Sequence, residues 1–452
     1  MKIKFEHIKK VYFLGIGGIG MSAIARYFLR SGKEVHGYDL TETPLTKELC
    51  EEGAHIHYTD TPSLIPKDTD LIVYTPAIPD SLKEYIFVKN TGFPLYKRSK
   101  VLGLITGNQK TIAVAGTHGK TSTTSLIAHI MHQNKINVNA FIGGVSKNLN
   151  SNFLFTPGSE YIVVEADEFD RSFLTLHPWF AVITSVDPDH LDIYKSYRNL
   201  EKAFALFLSQ MKPGGRAIVK KGLDIGKGLI SIEEYSAKEE SCYYASSIEE
   251  TGVTATFDLH LQGNHLQGVT MGIPGYHNIE NAVAAAAVAY LAGVPLEGIR
   301  AALANYTGVK RRFDIRVNKE NIVYIDDYAH HPEELNACID AVRRIWPDKK
   351  ITGVFQPHLF SRTRDFADEF ARSLEKPNNI ILLDIYPARE EPIDGITAEW
   401  LYQKIENKNK RLMTRDEVPA YIKNTRPELL ITLGAGDIDR IVEPIENIVK
   451  EW

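Results

Sequence analysis

The stretch TIAVAGTHGKTSTT, residues 111–124, decides the architecture of this chain. Thr111 to Ala115 alternate β-branched and small apolar residues, which is typical of a buried strand. The apolar residues after the turn, at positions 126, 127, 130 and 131, have helical spacing. A strand, a glycine-bearing turn and a helix N-terminus form an anion site, because free backbone N–H groups and the helix dipole both point at the ligand.

The turn itself, Gly116-Thr117-His118-Gly119-Lys120-Thr121, predicts phosphate binding. Lys120 would bring a positive charge to the β- and γ-phosphates of a nucleotide, and Thr121 would offer a hydroxyl to Mg²⁺. The match to the usual phosphate loop is incomplete, because Val114 stands where that pattern has its first glycine. An ordinary strand–turn–helix connection is therefore the alternative that these residues leave open.

Length and composition narrow the class of protein. A chain of 452 residues is too long for one core and predicts two to four domains. Its 44% apolar and 24% charged residues are typical of a globular protein, and a net charge of −5 gives no support for nucleic-acid binding. No uncharged apolar run approaches the roughly 20 residues that a membrane span needs. The three cysteines have neither disulfide nor metal-ligand spacing, so we expect a reducing cytoplasm.

The first block, residues 1–107, alternates predicted strands and helices and indicates a parallel sheet. The loop Gly15-Ile16-Gly17-Gly18-Ile19-Gly20 follows the first strand and opens a helix, as a dinucleotide fingerprint does. Asp39 ends the second strand, where a carboxylate could bind ribose hydroxyls. Alone, these features favour NAD, although the pattern reports a pyrophosphate cradle rather than a particular nucleotide. Thr75 ends the fourth strand at the edge where ligands bind, with a plain loop as the alternative.

The second block, residues 108–312, carries acidic residues where strands end. Glu165 and Asp167 end one strand, and Asp187, Asp189 and His190 follow the next. In a parallel sheet these ends converge beside the phosphate loop, so the side chains could hold one or two Mg²⁺ ions. Acidic residues that end strands for solubility alone are the alternative.

Two further features belong to the second block. Residues 241–273 predict antiparallel strands, with Gly263-Asn264 as a hairpin turn. The alanine-rich stretch Ala282–Ala292 predicts a buried helix that packs closely. Asn278 and Asn281 lie near its start, where each is either a plain helix cap or a reader of a base edge.

The third block, residues 313–452, is a second series of predicted strands and helices. Polar clusters follow its strands at residues 326–332, at His358 with Arg362 and Arg364, and at residues 384–389. Clustered Arg, His and Asp at strand ends favour an anionic substrate over a plain Rossmann-like module. His330-His331 does not predict a metal site, because adjacent residues point apart and no helical partner follows.

Taken together, the motifs GIGGIGMS, AGTHGKTSTT, VVEADEFD, DPDHLD, HNIENA, GVKRRFD, DDYAHHPEE and QPHLFSRTRDF resemble the Mur ligase family along essentially the whole chain. The resemblance implies three α/β domains: a Rossmann-like domain for a UDP-sugar (1–107), a central phosphate-loop domain for ATP (108–312) and a Rossmann-like domain for an amino acid (313–452). It also implies ATP-dependent addition of L-alanine to the lactyl carboxylate of UDP-N-acetylmuramate, an early cytoplasmic step of peptidoglycan synthesis.

The resemblance also assigns roles to residues of this sequence. Lys120 would contact phosphates, Thr121 and Glu165 would bind Mg²⁺, and His190 would bind a second ion. Arg312 would reach the γ-phosphate, Asp327 the ribose, and Asn278 and Asn281 the adenine. The UDP-sugar would lie on Gly15, Gly17, Gly18, Ile19 and Gly20, with Asp39 and Thr75 nearby. Tyr328, His330, His358 and Arg362 would surround the alanine, with His330 or His358 as the base. Leu359 departs from the family pattern, which often has arginine there, so the alanine carboxylate would depend on Arg362 or Arg364.

The charges of the reactants determine the order of the two chemical steps. A carboxylate is a poor electrophile, so it would first attack the γ-phosphate to give an acyl phosphate, which the amine then attacks. Acyl phosphates hydrolyse, and we expect the third domain to close over the second with a hinge near Arg312.

Three other functions compete with this one. A murein-peptide ligase would join a tripeptide to the same UDP-sugar, and the stretch at 167–173 resembles that enzyme. An NAD-dependent oxidoreductase and a non-catalytic nucleotide sensor belong to different classes; the sensor would have lost the charges at positions 120, 165, 190 and 312, which this chain keeps.

Overall fold

A computed structural model describes residues 5–187, 191–226, 228, 230–388 and 390–452. The chain divides into two compact units. The first comprises Met1–Glu250 with Thr254–Thr307, and the second comprises Thr251–Val253 with Gly308–Trp452. The first unit is built on two sheets and the second on one.

The first sheet has five parallel strands in the order β3-β2-β1-β4-β5. The strands are β1 (Lys10–Leu14), β2 (Glu34–Tyr38), β3 (His55–His57), β4 (Leu71–Tyr74) and β5 (Leu95–Lys97). The helices are α1 (Ile19–Arg30), α2 (Pro44–Glu51), α3 (Lys83–Thr91) and α4 (Arg98–Thr106), with 3₁₀ turns at Phe5–His7 and Pro62–Leu64. The strand order reverses between β1 and β4, which leaves a crevice at their carboxyl ends.

The second sheet has ten strands among the described residues, in the order β15-β14-β13-β12-β11-β10-β6-β9-β7-β8. The strands are β6 (Lys110–Ala115), β7 (Val138–Ser146), β8 (Ser151–Leu154), β9 (Tyr161–Glu165), β10 (Phe180–Ile183), β11 (Arg216–Lys220), β12 (Ile232–Ser236), β13 (Tyr243–Thr251), β14 (Thr254–Leu261) and β15 (Asn264–Met271). The helices are α5 (Lys120–Gln133), α6 (Leu191–Tyr194), α7 (Tyr197–Ser209), α8 (Tyr276–Leu291) and α9 (Leu296–Ala304), with a 3₁₀ turn at Phe169–Thr175. Strand β6 lies between β9 and β10 and is parallel to both.

Helix α8 confirms the buried alanine-rich helix. Every residue from Ala282 to Ala289 has 0% exposed surface, because α8 packs in the core with α5 and the sheet. The hairpin between β14 and β15 confirms the antiparallel prediction, but its turn lies one residue earlier than expected. Leu261 pairs with Asn264, so Gln262 and Gly263 form the turn, with φ of 48° and 86°. Both positive values suit the turn that matches strand twist.

The second unit has a six-stranded sheet in the order β16-β17-β21-β18-β19-β20. The strands are β16 (Asp314–Asn318), β17 (Val323–Asp327), β18 (Ile351–Phe355), β19 (Asn379–Leu382), β20 (Lys410–Leu412) and β21 (Leu429–Leu433). The helices are α10 (Pro332–Ile345), α11 (Phe360–Asp365), α12 (Ala367–Leu374), α13 (Ala398–Lys404), α14 (Val418–Thr425) and α15 (Val442–Lys450), with 3₁₀ turns at Arg415–Glu417 and Asp437–Ile441. All pairings are parallel except that of β16 with β17.

The three sheets confirm the predicted α/β class with Rossmann-like first and last parts. Within the described part of the chain, no helix has the length and apolar character needed to cross a bilayer.

Candidate active site

The phosphate-loop turn joins β6 to α5 through two glycines with left-handed backbone conformations. Gly116 has φ 138°, and Gly119, the N-cap of α5, has φ 79°. A Cβ on Gly116 would lie 2.1 Å from Thr184 Oγ1, so a larger residue does not fit there. Gly119 has no side chain that could cap α5, so the N–H groups of the first turn are available to an anion. The backbone therefore has the geometry of a phosphate site.

Residues that follow β10 brace this loop. Thr117 Oγ1 lies 2.8 Å from Ser185 Oγ, and the His118 N–H donates to the same serine oxygen at 2.8 Å. The Asp187 N–H donates to Thr117 Oγ1 at 3.0 Å, which brings Asp187 to the loop as the parallel strands predict. The other two members of that predicted cluster, Asp189 and His190, lie outside the described residues.

The Lys120 ammonium is held on two sides. It donates to the Gly116 carbonyl at 2.6 Å and to both carboxylate oxygens of Glu168 at 2.9 Å. Burial alone would lower the pKa of Lys120, but the carboxylates of Glu168, Asp167 and Glu165 outweigh it and raise the pKa. Burial raises the pKa of Glu168, whose side chain has no exposed surface. Lys120 is therefore a charged lysine beside the phosphate loop.

Thr121, in the first turn of α5, contacts Glu165 at the end of β9, as expected where a strand ends beside a phosphate loop. The Thr121 hydroxyl donates to Glu165 Oε2 at 2.8 Å, and the Gly143 N–H donates to the same oxygen at 3.1 Å. A Cβ on Gly143 would lie 2.1 Å from Glu165 Oε2, so glycine makes room for the carboxylate. A hydroxyl and a carboxylate are the hard oxygen ligands that Mg²⁺ prefers, and the donor set fits that ion.

Residues that directly follow β2 and β4 contact the glycine loop after β1. The Gly17 N–H donates to Asp39 Oδ2 at 2.7 Å. A Cβ on Gly15, which has φ 83°, would lie 2.9 Å from Thr75 Cγ2. Asp39 therefore supports the loop from behind through Gly17, and Thr75 packs against Gly15. Ile19 is the first residue of α1 and has 37% of its surface exposed.

A cleft of about 270 Å³ in the first unit lies between the glycine loop and the end of β9. Its lining includes Gly18, Ile19 and Gly20 at the start of α1, together with Thr75. Gly143, Glu165 and Asp167 also line it. A ligand in this cleft would extend from the glycine loop to the carboxylate beside Thr121.

Asn278 and Asn281 are both buried in α8, and neither is its N-cap, which is Gly275. The Asn278 amide donates to the Pro274 carbonyl at 2.6 Å. Asn281 Oδ1 accepts from the Thr123 hydroxyl at 3.2 Å, and a Cβ on Gly119 would lie 2.8 Å from that oxygen. The plain-cap interpretation is therefore wrong, and Asn281 supports the phosphate loop from α8.

In the second unit, Asp327 ends β17 and fixes the chain on either side of it. Its carboxylate accepts from the Phe313 N–H at 2.6 Å and from the Ala329 N–H at 2.7 Å. Burial raises the pKa of Asp327 to about 6, although both N–H groups and the Arg312 charge oppose that shift. The Arg312 guanidinium carbon lies 4.8 Å from the centre of the Tyr328 ring, in a cation–π contact.

His330 has a lowered pKa, which favours the neutral form that a general base needs. Burial lowers its pKa, so the ring is neutral near pH 7. Nδ1 lies 2.9 Å from the Tyr328 carbonyl, which can only accept, so Nδ1 carries the proton and Nε2 is the acceptor. The His330 ring also contacts the His358 ring, with 5.8 Å between centroids.

The two candidate arginines of α11 differ in their surroundings. Arg362 is half-buried, and its charge helps to lower the pKa of His330. Arg364 is 50% exposed and pairs with Asp365 at 2.8 Å. Leu359, the N-cap of α11, has φ 71°, a left-handed conformation that is uncommon for a branched side chain. The charge of Arg362 therefore acts on His330, whereas Arg364 pairs with Asp365.

Sequence reasoning missed two charged residues of the first unit. Glu168 is the ion-pair partner of Lys120, and Arg98 lines the cleft with Nη2 3.7 Å from Asp167 Oδ2. The run of three acidic residues at 165, 167 and 168 could have signalled Glu168, because a buried lysine needs a counter-charge. Arg98 gives no such signal, since it stands in the polar segment Lys97–Lys100.

Comparison with known families agrees with this geometry. Three Mur ligase domain models match in order: the Mur ligase family catalytic domain over residues 10–110, the middle domain over 114–289 and the glutamate ligase domain over 311–436. The chain belongs to the Mur ligase family.

Within that family, similar relatives carry one activity in their names. A UDP-N-acetylmuramate–L-alanine ligase of Porphyromonas gingivalis is 47% identical, with 98% of this chain and 99% of the relative covered. The enzyme of the same name from Flavobacterium johnsoniae is 43% identical, with 99% and 100% covered.

A solved structure gives the same result. The UDP-N-acetylmuramate–alanine ligase MurC of Thermotoga maritima superposes with a TM-score of 0.84 at 25% identity, covering 98% of this chain and 99% of that one. A murein peptide ligase of Psychrobacter arcticus superposes with a TM-score of 0.73 at 22% identity, over 98% and 99%, and shares the fold.

Proposed function

We propose that this chain is an ATP-dependent ligase that joins L-alanine to the lactyl carboxylate of UDP-N-acetylmuramate in the cytoplasm, at an early step of peptidoglycan synthesis. The observation that carries the proposal is the cleft that runs from the glycine loop at Gly18 to Glu165. A UDP-sugar seated on the first loop would present its carboxylate to a γ-phosphate on the second. Names of relatives that are 43–47% identical support the same substrates.

We assign the three parts of the chain accordingly. Residues 1–107 bind the UDP-sugar, residues 108–312 bind ATP, and residues 313–452 bind the amino acid. The ribose of ATP is assigned to Asp327, the adenine side to Asn278 and Asn281, and the γ-phosphate to Lys120 and Arg312. His190 completes the proposed set of metal ligands with Thr121 and Glu165.

The first step joins two anions. An oxygen of the lactyl carboxylate attacks the γ-phosphorus, the bond to the β-phosphate oxygen breaks, and ADP leaves. Lys120 is charged and lies at the loop, so it lowers the repulsion between carboxylate and phosphate. When bound, Mg²⁺ supplies further positive charge at the transferred phosphate.

The second step forms the amide. The amine of alanine attacks the acyl carbonyl, the tetrahedral intermediate collapses, and phosphate leaves with the bonding electron pair. The attacking amine must lose a proton, and the neutral His330 accepts it at Nε2. His358 is the second candidate because its ring contacts that of His330. Arg362 holds the alanine carboxylate.

Phosphate release from ATP in the presence of Mg²⁺ and UDP-N-acetylmuramate tests the assignment. L-Alanine and the tripeptide L-alanyl-γ-D-glutamyl-meso-diaminopimelate are added in separate reactions. Release that depends on L-alanine, with a product heavier by one alanine residue, supports the proposal. Release that depends only on the tripeptide moves the chain to the murein-peptide ligases, and no release in either reaction favours a nucleotide sensor.

Closure of the third part over the second, with a hinge near Arg312, is a separate element of the proposal. It excludes water from the acyl phosphate. Solution scattering with an ATP analogue and the UDP-sugar bound should show a smaller radius of gyration than the free protein. An unchanged radius would refute closure without affecting the assignment of substrates.

A further inference from the structure

Arg98 lies beside the last glycine of the glycine loop. It is the first residue of α4, its side chain is 24% exposed, and it lines the cleft. A Cβ on Gly20 would lie 2.5 Å from Arg98 Nη1, so the guanidinium occupies the space beside the first turn of α1. Gly20, the last glycine of the fingerprint, therefore makes room for an arginine.

An anionic ligand in the cleft needs the positive charge of Arg98, because the other charged side chains that line the cleft are carboxylates. The Gly17 N–H, which would otherwise face a ligand, is already bonded to the Asp39 carboxylate. Among the described residues that line the cleft, Glu165 and Asp167 are acidic and Arg98 alone is basic. Its contact with Asp167 is long, at 3.7 Å, and outside hydrogen-bond range. A dianionic ligand that enters here meets two carboxylates and one guanidinium.

We propose that Arg98 binds the diphosphate of the UDP-sugar, an inference that rests on the proposed function of the first unit. The planar guanidinium offers paired N–H donors that match phosphate oxygens. The N–H groups of Ile19 and Gly20 belong to the first turn of α1, where N–H groups have no carbonyl partner within the helix. They would donate to the diphosphate from the side opposite Arg98. The diphosphate would thus be held between a helix N-terminus and Arg98.

The position of Arg98 favours the diphosphate over the lactyl carboxylate. Its Nη1 lies beside Gly20, at the glycine-loop end of the cleft. The reacting carboxylate must approach the phosphate loop, at the end of the cleft where Glu165 accepts from Thr121. Arg98 therefore sets where the nucleotide is anchored and so how far the sugar reaches.

Binding measurements with three ligands test this assignment. Calorimetry of R98A with UDP, UDP-N-acetylglucosamine and UDP-N-acetylmuramate should show each dissociation constant raised about 10–100-fold, by a similar factor, since all three share the diphosphate. R98K should recover part of the loss. K100A removes an exposed charge from the same helix and should leave all three constants unchanged, and ATP affinity should be unchanged in every variant.

Two results would overturn the proposal. Loss of affinity for UDP-N-acetylmuramate alone would assign Arg98 to the carboxylate, and unchanged affinity for all three ligands would exclude any contact. Because UDP binding needs no amino acid, failure of the alanine reaction would leave this test intact.

A double-mutant cycle tests the link between Gly20 and Arg98. Alanine at position 20 suits a helix but displaces the guanidinium, so G20A should weaken UDP binding several-fold. In the R98A background G20A should have almost no further effect. Losses that simply add would show that Gly20 acts independently of Arg98 and would refute the pairing. G20A and R98K both keep a positive charge at position 98. These two variants therefore test the contact even where R98A is less stable.

Discussion

The ammonium of Lys120 lies 2.9 Å from both carboxylate oxygens of Glu168, a side chain with no exposed surface. This ion pair holds the lysine side chain of the phosphate loop in place independently of any nucleotide. Because the two charges are buried together, each makes the other tolerable in the interior. The loop lysine is therefore part of the structure of the first unit as well as of its chemistry.

Removal of Lys120 should cost stability as well as activity. K120M leaves the Glu168 carboxylate buried without its counter-charge, a situation that costs about 3–5 kcal/mol. The double variant K120M/E168Q removes both charges and should be more stable than K120M, while both lack turnover. Unfolding midpoints of the two variants and the wild type check this order. Equal midpoints for K120M and the double variant would contradict a structural role for the pair.

Thr121 and Glu165 should govern the requirement for magnesium. T121V removes the hydroxyl that meets Glu165 Oε2 and should raise the Mg²⁺ concentration for half-maximal phosphate release by about 10-fold or more. T121S keeps the hydroxyl and serves as the matched control, with a titration close to that of the wild type. Identical Mg²⁺ curves for T121V and T121S would remove Thr121 from the metal site.

Arg362 and Arg364 should differ in their effect on amino-acid binding. R362A should raise KM for L-alanine about 10–100-fold, because a carboxylate would lose a charged donor beside His330. R364A is the control, since that side chain is exposed and pairs with Asp365. Initial rates at varied L-alanine and saturating ATP measure both. A larger effect in R364A would reverse the assignment.

Glu84 should make stability depend on pH. It is fully buried, accepts from the Tyr12 hydroxyl at 2.5 Å, and has its pKa raised by burial from 4.5 to about 7. The folded state therefore binds this proton more tightly than the unfolded state. Its stabilising contribution is complete below about pH 4.5 and is lost as the pH rises through 7.

The variant E84Q keeps a neutral acceptor at all pH values. At pH 8 its free energy of unfolding should exceed that of the wild type by an amount on the order of 1–3 kcal/mol. This difference should be smaller at pH 5. E51Q, an exposed change on α2, is the control. Parallel pH dependence in E84Q and the wild type would show that Glu84 does not titrate in this range.

The sequence predicted the strand of the phosphate-loop motif and the turn that follows it. The expected strand, residues 111–115, lies within β6 and is buried along its whole length, because a strand covered on both faces is a run of apolar and β-branched residues. The sequence did not predict β7, β8 or β16, whose residues carry no clear period. Their pairing depends on neighbours that are distant in the chain, which local pattern does not report.

The same distinction holds for the candidate site. Lys120, Thr121 and Glu165 were identified because a strand end and a helix start place them by local rules. Arg98 was missed because its position beside Gly20 depends on how α4 packs near α1, across 78 residues of sequence. The assignment of Asn281 to the adenine stays a prediction, and its contact with Thr123, which is 158 residues away in the chain, depends on the tertiary fold.

Gly143 leaves the space that the Glu165 carboxylate occupies. One methyl group at that position would push the carboxylate away from Thr121 while leaving the glycine loop and Arg98 untouched. G143A thus offers a way to stall the protein with both nucleotides in place, without deleting any charged group. Such a stalled complex would let a crystallographer capture the unreacted substrates side by side.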